Sequence, residues 1–147
     1  MTDTDQLRLD PDLIGVMRFG VTSAVAHGAS FVAPAHVVLG LLADPRIGPA
    51  IAPHIPRERV EQAAAQTRSK LQDTDTIAFL SRDGAHSLYL DADAFHVFLE
   101  GARRASDVYR TKHLVFALTA EAVKEQSLLA LVGRDPQAVT SAVDALG

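Results

Sequence analysis

The densest group of side chains that could bind a metal or exchange protons lies between residues 86 and 96. It contains His86, Asp91, Asp93 and His96, and the last two are three residues apart, so that a helix would place them on one face. Imidazole nitrogens and carboxylate oxygens are ligands for zinc, and such a site would support a small metal-dependent enzyme. The spacing matches no His-Glu-x-x-His or similar motif, and Asp91 is better explained as a helix cap. We therefore predict no metal site and no cofactor.

Two other histidines lie in related segments of the chain. Residues 35–44 (AHVVLGLLAD) return in altered form as residues 112–121 (KHLVFALTAE), so that His36 recurs as His113, 77 positions later. A self-match at about half of the chain length indicates a duplicated unit. Each histidine opens an aliphatic helical segment. We predict that both are structural, with a ring N–H bonded to a neighbouring turn.

Motifs for other kinds of catalysis are missing from the sequence. It contains no Gly-x-Ser-x-Gly nucleophile elbow and no Gly-x-x-x-x-Gly-Lys-Ser/Thr phosphate loop. It also contains no cysteine that could act as a nucleophile or as a thiolate ligand. Nothing in the sequence therefore argues for an enzyme, and we predict that the protein is not one.

Charge and hydropathy argue against nucleic-acid and membrane partners. The net charge is −4, the only basic doublet is Arg103-Arg104, and no basic stripe with aromatic residues occurs. No apolar run approaches the ~20 residues of a membrane span. The start of the chain is acidic and polar, unlike a signal peptide, and we therefore expect a cytoplasmic protein.

Proline, aspartate and glycine divide both halves of the chain into the same series of predicted helices. Aspartate is a favourable N-cap, proline is tolerated at the first helical position, and glycine commonly follows the last one. The first half is predicted to hold a helix from Pro11 to about Gly28, a buried helix over 34–43, a short third helix and a fourth from Pro56 to about Leu71. The second half is predicted to hold helices after Asp91, from Thr111, near 123–132 and after Asp135-Pro136.

The segment that joins the halves, about residues 72–90, leaves two interpretations open. Ile77–Leu80 and Leu88–Leu90 flank Asp83-Gly84, an arrangement that could form a small β-hairpin. The same residues could instead form an extended linker whose apolar side chains pack against the helices. A single domain over 1–147 is predicted in either case, with repeat 1 over about 9–71 and repeat 2 over about 91–146.

The duplicated segments carry a family resemblance. Residues 31–42 (FVAPAHVVLGLL) and 108–118 (VYRTKHLVFAL) resemble the repeat of the Clp N-terminal domain of the ClpC and ClpA type, which reads approximately YIGTEHLLLGLL. The resemblance covers about residues 9–146. It implies an all-α fold of two four-helix Clp repeats, related by a pseudo-twofold axis and packed into one bundle. Without a phosphate loop, the chain looks like a stand-alone Clp N-domain that lacks the AAA+ ATPase modules.

The resemblance implies a role in binding. Clp N-terminal domains sit in front of unfoldase rings, where they receive substrates and adaptor proteins and, in the ClpC branch, arginine-phosphorylated proteins and cyclic-peptide antibiotics. We therefore expect a non-catalytic module that binds peptides, unfolded proteins or Clp ATPase and peptidase components, as an adaptor, a regulator or a ligand-sequestering decoy. A small-ligand sensor that acts through a partner is the alternative.

Four positions depart from the phosphoarginine pocket that the resemblance implies. The family's glutamate before the repeated histidine grips the guanidinium group, and Ala35 and Lys112 replace it here. Alanine offers no acceptor, and an ammonium group repels a guanidinium group. Asp10 and Asp91 replace the threonine or serine at the helix starts and would repel a phosphate, so that Thr111 alone is retained. Phosphoarginine recognition is therefore predicted to be lost.

By the same resemblance, the first helices of the two repeats flank a groove that binds peptides in the ClpC branch. Apolar side chains beside these helix starts are the candidate peptide-binding residues, together with the aspartates that precede the helices. Core packing is the competing interpretation for the apolar members. The candidates are Leu9, Asp10, Met17, Tyr89, Leu90, Asp91 and Phe95.

Overall fold

The computed structural model describes residues 8–66 and 77–146, which form a bundle of eight α-helices within these ranges. The first half contains α1 (Pro11–Ala26), α2 (Pro34–Ala43), α3 (Ile47–Ile51, continued by a 3₁₀ turn over Ala52–His54) and α4 (Arg57–Gln66). The second half contains α5 (Ala92–Arg104), α6 (Thr111–Ala122), α7 (Gln126–Val132) and α8 (Pro136–Asp144). None of these helices combines the length and the apolar character needed to cross a membrane.

The predicted all-α class, with four helices in each half, is confirmed. The predicted end of the fourth helix near residue 71 lies outside the described residues, and so does the first part of the joint, 72–76. The third helix of the second half begins at Gln126, three residues later than predicted, because the chain turns at residues 123 and 124 before it.

Local sequence explains where the helices begin. Pro11, Pro34 and Pro136 occupy first-turn positions, where the missing N–H of proline costs no hydrogen bond. The carboxylate of Asp91 caps α5 by accepting the backbone N–H of Ala94 at 2.8 Å. Asp10 also stands at an N-cap position in extended backbone, but its side chain accepts no N–H of α1. Asp10 therefore occupies the expected N-cap position, but its side chain does not cap the helix.

The duplicated histidines cap the two most buried helices in the same way. Ring Nδ1 of His36 accepts the backbone N–H of Ala33 at 3.0 Å, and ring Nδ1 of His113 accepts that of Arg110 at 3.0 Å. Nε2 of His36 also donates to the carbonyl oxygen of Ala64 at 3.3 Å and so connects α2 to α4. Burial lowers the pKa of His36 to about 4 in spite of this hydrogen bond.

The described residues also form four short strands: β1 (Arg8–Leu9), β2 (Ala78–Leu80), β3 (Ser87–Tyr89) and β4 (Val108–Tyr109). β2 and β3 form an antiparallel pair in the joint, so that the hairpin forms there and the extended linker does not. Gly84 takes the left-handed conformation in its turn, with φ +75°. The guanidinium group of Arg18 in α1 donates to the carbonyl oxygen of Ser81 at 2.8 Å and holds the hairpin against the bundle.

β1 and β4 form a parallel pair that joins the halves crosswise. β1 precedes the first helix of the first half, and β4 precedes the second helix of the second half. The reverse combination also occurs. Val32, which precedes α2, forms a parallel β-bridge with Leu90, which precedes α5. The backbone N–H of Asp10 donates to the carbonyl of Tyr109 at 2.9 Å, and that of Asp91 donates to the carbonyl of Val32 at 2.8 Å. We call these two connections the crossed pairs.

Tyr109 anchors the core of the second half. Its side chain is fully buried, and its hydroxyl donates to the carbonyl oxygen of Phe98 at 2.7 Å. A Cβ atom at Gly101 would overlap the phenol of Tyr109, so that only glycine fits between α5 and this ring. In the first half, a Cβ atom at Gly40 would overlap the carbonyl of Val16, which shows how closely α1 and α2 pack.

We expect Gly101→Ala to destabilise the protein by about 1–3 kcal/mol, because the new methyl group meets the buried ring of Tyr109. Gly15→Ala is the matched control, since Gly15 is an exposed residue of α1 with no atom within 4 Å of an added Cβ. The control should be more stable than wild type by about 0.5–1 kcal/mol through helix propensity alone. Urea denaturation measures both changes, and two shifts in the same direction would contradict the packing described.

The stability of the protein should also depend on the protonation of His36. The pKa of His36 falls from 6.5 to about 4 on folding, so the unfolded chain binds its proton first as the pH is lowered. This contribution is complete above pH 6.5 and is lost as the pH falls toward 4. Relative to His36→Gln, which keeps an acceptor and a donor but does not titrate, wild type should lose up to about 3 kcal/mol across this range. Parallel pH profiles of the free energy of unfolding would show that His36 is not the titrating group.

Candidate functional site

The structure does not gather the seven candidate peptide-binding residues on one surface. Met17 and Leu90 are fully buried in the core, and Asp91 is 2% exposed. These three offer no surface to a peptide in this conformation, because the bundle packs around them. Leu9 and Phe95 are half-buried and pack against the same core.

Exposed apolar surface occurs on the hairpin. Tyr89 is 41% exposed and Leu80 is 49% exposed, and both lie on its outward face. The alternate residues face inward, where the ring of Phe79 meets that of Phe98 edge-on with centroids 5.6 Å apart. Tyr89 therefore stays accessible to a partner, on a different element from the helix starts.

Three of the residues singled out from the sequence line one pocket. Asp10, Thr111 and Lys112 border a cavity of about 150 Å³ between the start of α1, the start of α6 and the end of α8. We call this cavity the charged pocket. Its other polar lining residues are Asp12, Asp44, Arg46 and Arg110, and its apolar lining residues are Ile47, Val143 and Leu146.

The wall formed by α3 is fixed by two sets of hydrogen bonds. The carboxylate of Asp44 accepts the backbone N–H groups of Arg46 and Ile47, at 3.1 and 2.7 Å. The guanidinium group of Arg46 donates to the carbonyl oxygen of Leu146 at 2.6 Å and so connects α3 to the end of α8. These contacts occupy Asp44 and Arg46 and hold the two sides of the pocket in place.

The remaining charged groups of the pocket are available to a ligand. Within the described residues, no hydrogen bond or ion pair occupies the side chains of Asp10, Asp12 or Lys112. The partial positive charge at the start of α6 adds to that of Lys112. The pocket therefore offers acceptors on its α1 side and a donor on its α6 side, which suits a ligand that carries a cation next to an anion.

Two further features mark the α6 side. The hydroxyl of Thr111 is buried and has no hydrogen-bond partner among the described residues. Burial lowers the pKa of His113, and the positive charges of Lys112 and Arg110 lower it further. A neutral ring is the form that accepts the N–H of Arg110, so the start of α6 keeps its geometry while Lys112 carries the charge.

The related positions at the other crossed pair form no such opening. Asp91 corresponds to Asp10, and Ala35 corresponds to Lys112, and both are 2% exposed. One crossed pair brings the segment of Asp10 beside the segment that precedes Lys112, and the other brings the segment of Asp91 beside the one that precedes Ala35. The duplication therefore creates two related positions. Of the two, the one at Asp10 and Lys112 is open, and the one at Asp91 and Ala35 is closed.

Sequence reasoning singled out three of the ten residues that line the charged pocket and missed its other charged residues, Asp12, Asp44, Arg46 and Arg110. Asp12 lies two residues after Asp10 and Arg110 precedes Thr111, and their charges beside helix starts were a usable signal. Arg46 carried no such signal, because its position depends on the docking of α3 against the end of α8, 100 residues away.

The histidine and aspartate cluster between residues 86 and 96 is not assembled into one site. His86 lies in the hairpin, whereas Nε2 of His96 contacts the carboxylate of Glu121 at 2.7 Å. Burial opposes ionisation of Glu121, but the hydrogen bond from His96 and the charge of Lys124 outweigh it and hold the pKa of Glu121 below its usual value. Across residues 8–66 and 77–146, no three groups that could ligate a metal meet.

Comparison with known proteins identifies the fold. No protein-family model matches the chain, and no curated protein sequence matches it either. The structure does match the crystal structure of the N-terminal domain of the caseinolytic protease-associated chaperone ClpD from Arabidopsis thaliana, with a TM-score of 0.61. The match covers 98% of this chain and 96% of that domain at 17% sequence identity. The chain therefore has the Clp N-terminal domain fold, as its two repeated segments predicted.

Proposed function

We propose that this chain is a non-catalytic module that binds peptides or unfolded proteins for the Clp proteolysis system in the cytoplasm, and that the charged pocket is its ligand site. The fold supports the proposal, because the matched structure belongs to a protease-associated chaperone. The observation that carries it is the meeting of Asp10, Thr111 and Lys112 in one open pocket. These are positions that the family resemblance assigns to ligand recognition.

The charges of the pocket define the ligand group that it holds. Lys112 attracts a carboxylate or phosphate, whereas Asp10 and Asp12 attract an ammonium or guanidinium group. A peptide segment with a basic side chain next to an acidic one satisfies both sides. In the orientation that the family resemblance implies, phosphoarginine would fit poorly, because its guanidinium group would face Lys112 and its phosphate would face Asp10.

The binding role is compatible with an adaptor, a regulator or a decoy. An adaptor or regulator would bind a Clp ATPase or peptidase component, whereas a decoy would sequester peptides, cyclic peptides included. The second candidate function is a small-ligand sensor that acts through a partner. The volume of the pocket, about 150 Å³, favours this candidate, because it holds a small ionic group better than a long segment.

Charge reversal at Lys112 tests the proposal. The probe is fluorescently labelled α-lactalbumin, reduced and carboxymethylated so that it stays unfolded. Wild type should bind it, and Lys112→Glu should weaken binding about fivefold, the effect of losing roughly 1 kcal/mol from one accessible charge contact. Arg104→Glu is the control, since Arg104 is exposed and lies outside the charged pocket. Equal affinities of the two variants, or no binding by wild type, would contradict the proposed site.

Phosphoarginine serves as a second ligand in the same experiment. Wild type should show no saturable binding of the free amino acid, and the double variant Asp10→Thr, Lys112→Glu should gain it. Ala35 is left unchanged, because it is buried and a glutamate there would place a carboxylate in the core. Saturable binding of phosphoarginine by wild type would show that the receptor function is retained.

A further inference from the structure

We propose that a second surface of this protein, a basic groove between the 3₁₀ turn and α7, binds an acidic segment of a partner protein in which carboxylates flank an aliphatic side chain. The groove has a volume of about 550 Å³, within the usual range of ligand sites. It is distinct from the charged pocket and shares no lining residue with it. Its lining residues are Pro53, His54, Ile55, Pro56, Arg59, Gln126, Leu129, Ala130, Gly133 and Arg134.

The charge of the groove has one sign. Arg59 of α4 and Arg134 of the loop after α7 are both exposed, and they line the groove together with His54 of the 3₁₀ turn. Neither arginine has a hydrogen bond or an ion pair with any residue in the described parts of the chain. None of the lining residues is acidic. In a chain with a net charge of −4, this is a local excess of positive charge.

Acidic residues near the two arginines in sequence do not pair with them. Glu58 adjoins Arg59 in sequence and lines a neighbouring groove on α4 that shares Pro56 and Arg59 with the basic groove. Within the described residues, no ion pair joins Glu58 to Arg59. Glu61 pairs with Arg57 at 3.0 Å. Asp135 adjoins Arg134 and lines the cavity between α6 and α8 instead. The guanidinium groups of the basic groove therefore remain available for bidentate binding of carboxylates from a partner.

The groove also has an apolar lining. Ile55 is 8% exposed at the base of the groove, and Leu129 is half-buried beside it. Prolines 53 and 56 border the same surface. Leucine or isoleucine from a partner would remove these apolar atoms from water, whereas a simple polyanion would leave them exposed. This combination of charge and apolar surface favours an acidic protein segment over a nucleic acid.

The shape of the groove is fixed before a ligand arrives. Gly133 ends α7 in the left-handed conformation, with φ +91°. A Cβ atom there would lie 2.6 Å from the carbonyl oxygen of His54, so that α7 and the 3₁₀ turn are in backbone contact. A groove held by such a contact loses little conformational freedom on binding, which favours affinity.

Fluorescence anisotropy with a defined probe tests the proposal. The probe is the labelled, acetylated and amidated octapeptide GEELLEEG. Wild type should bind it saturably, and Arg59→Glu, Arg134→Glu should weaken binding by about tenfold or more. The matched control Arg8→Glu, Arg104→Glu makes the same change in net charge at two exposed arginines outside the groove. It should weaken binding by less than about twofold at physiological salt.

Four further measurements complete the test. Replacement of the four glutamates of the probe by glutamine should abolish binding, and an octanucleotide of thymidine should compete poorly. Lys112→Glu should leave the affinity for GEELLEEG unchanged, so that failure here and failure of the charged pocket are distinguishable. The milder variant Arg59→Gln, Arg134→Gln should act in the same direction as the charge reversal. No binding by wild type, equal losses in the two double-glutamate variants, or equal competition by the oligonucleotide would each overturn the proposal.

Discussion

Crossed pairing of the two halves is the constraint on which the rest of this structure depends. The backbone before α1 bonds to the backbone before α6, and the backbone before α5 bonds to that before α2. Buried backbone N–H and C=O groups require partners, and here those partners belong to the opposite half. Neither half could satisfy these groups alone, and the duplicated sequence therefore folds as one bundle.

The same crossing creates the candidate site. Because the N–H of Asp10 bonds to the carbonyl of Tyr109, the start of α1 lies beside the start of α6, and the charged pocket forms between them. The related position at Asp91 has the same backbone arrangement, but its carboxylate caps α5 and is buried. Duplication thus provides two backbone frames, and side-chain differences leave one of them open to a ligand.

The sequence was informative where a local rule decides the outcome. Pro11, Pro34 and Pro136 marked helix starts correctly, because the cost of an internal proline is local. The repeated histidines marked two related helices, because ring Nδ1 of each accepts a backbone N–H from the residue three positions earlier, which is a local contact. The hairpin stayed undecided from sequence, since it is held by Arg18, 63 residues from Ser81.

The candidate site was predictable only in part. Burial of Met17 and Leu90 could not be separated from a groove-lining role, because an apolar residue beside a helix start suits both. Arg59 and Arg134 carried no signal in the sequence, since the basic groove exists only once α4 and α7 pack together. Long-range docking, and not local preference, therefore determines which charges meet on this protein.

Native-state hydrogen exchange at the backbone amides of Asp10, Val32 and Asp91 tests the crossed pairing most directly. The N–H groups of these three residues donate to the carbonyls of Tyr109, Tyr89 and Val32, respectively, at the crossed pairs. The account predicts that all three exchange only through global unfolding, with the same free energy as the amides in the middle of α2 and α6. Exchange of any of them through a smaller opening, while α2 and α6 stay protected, would show that the halves are not held together by these pairs.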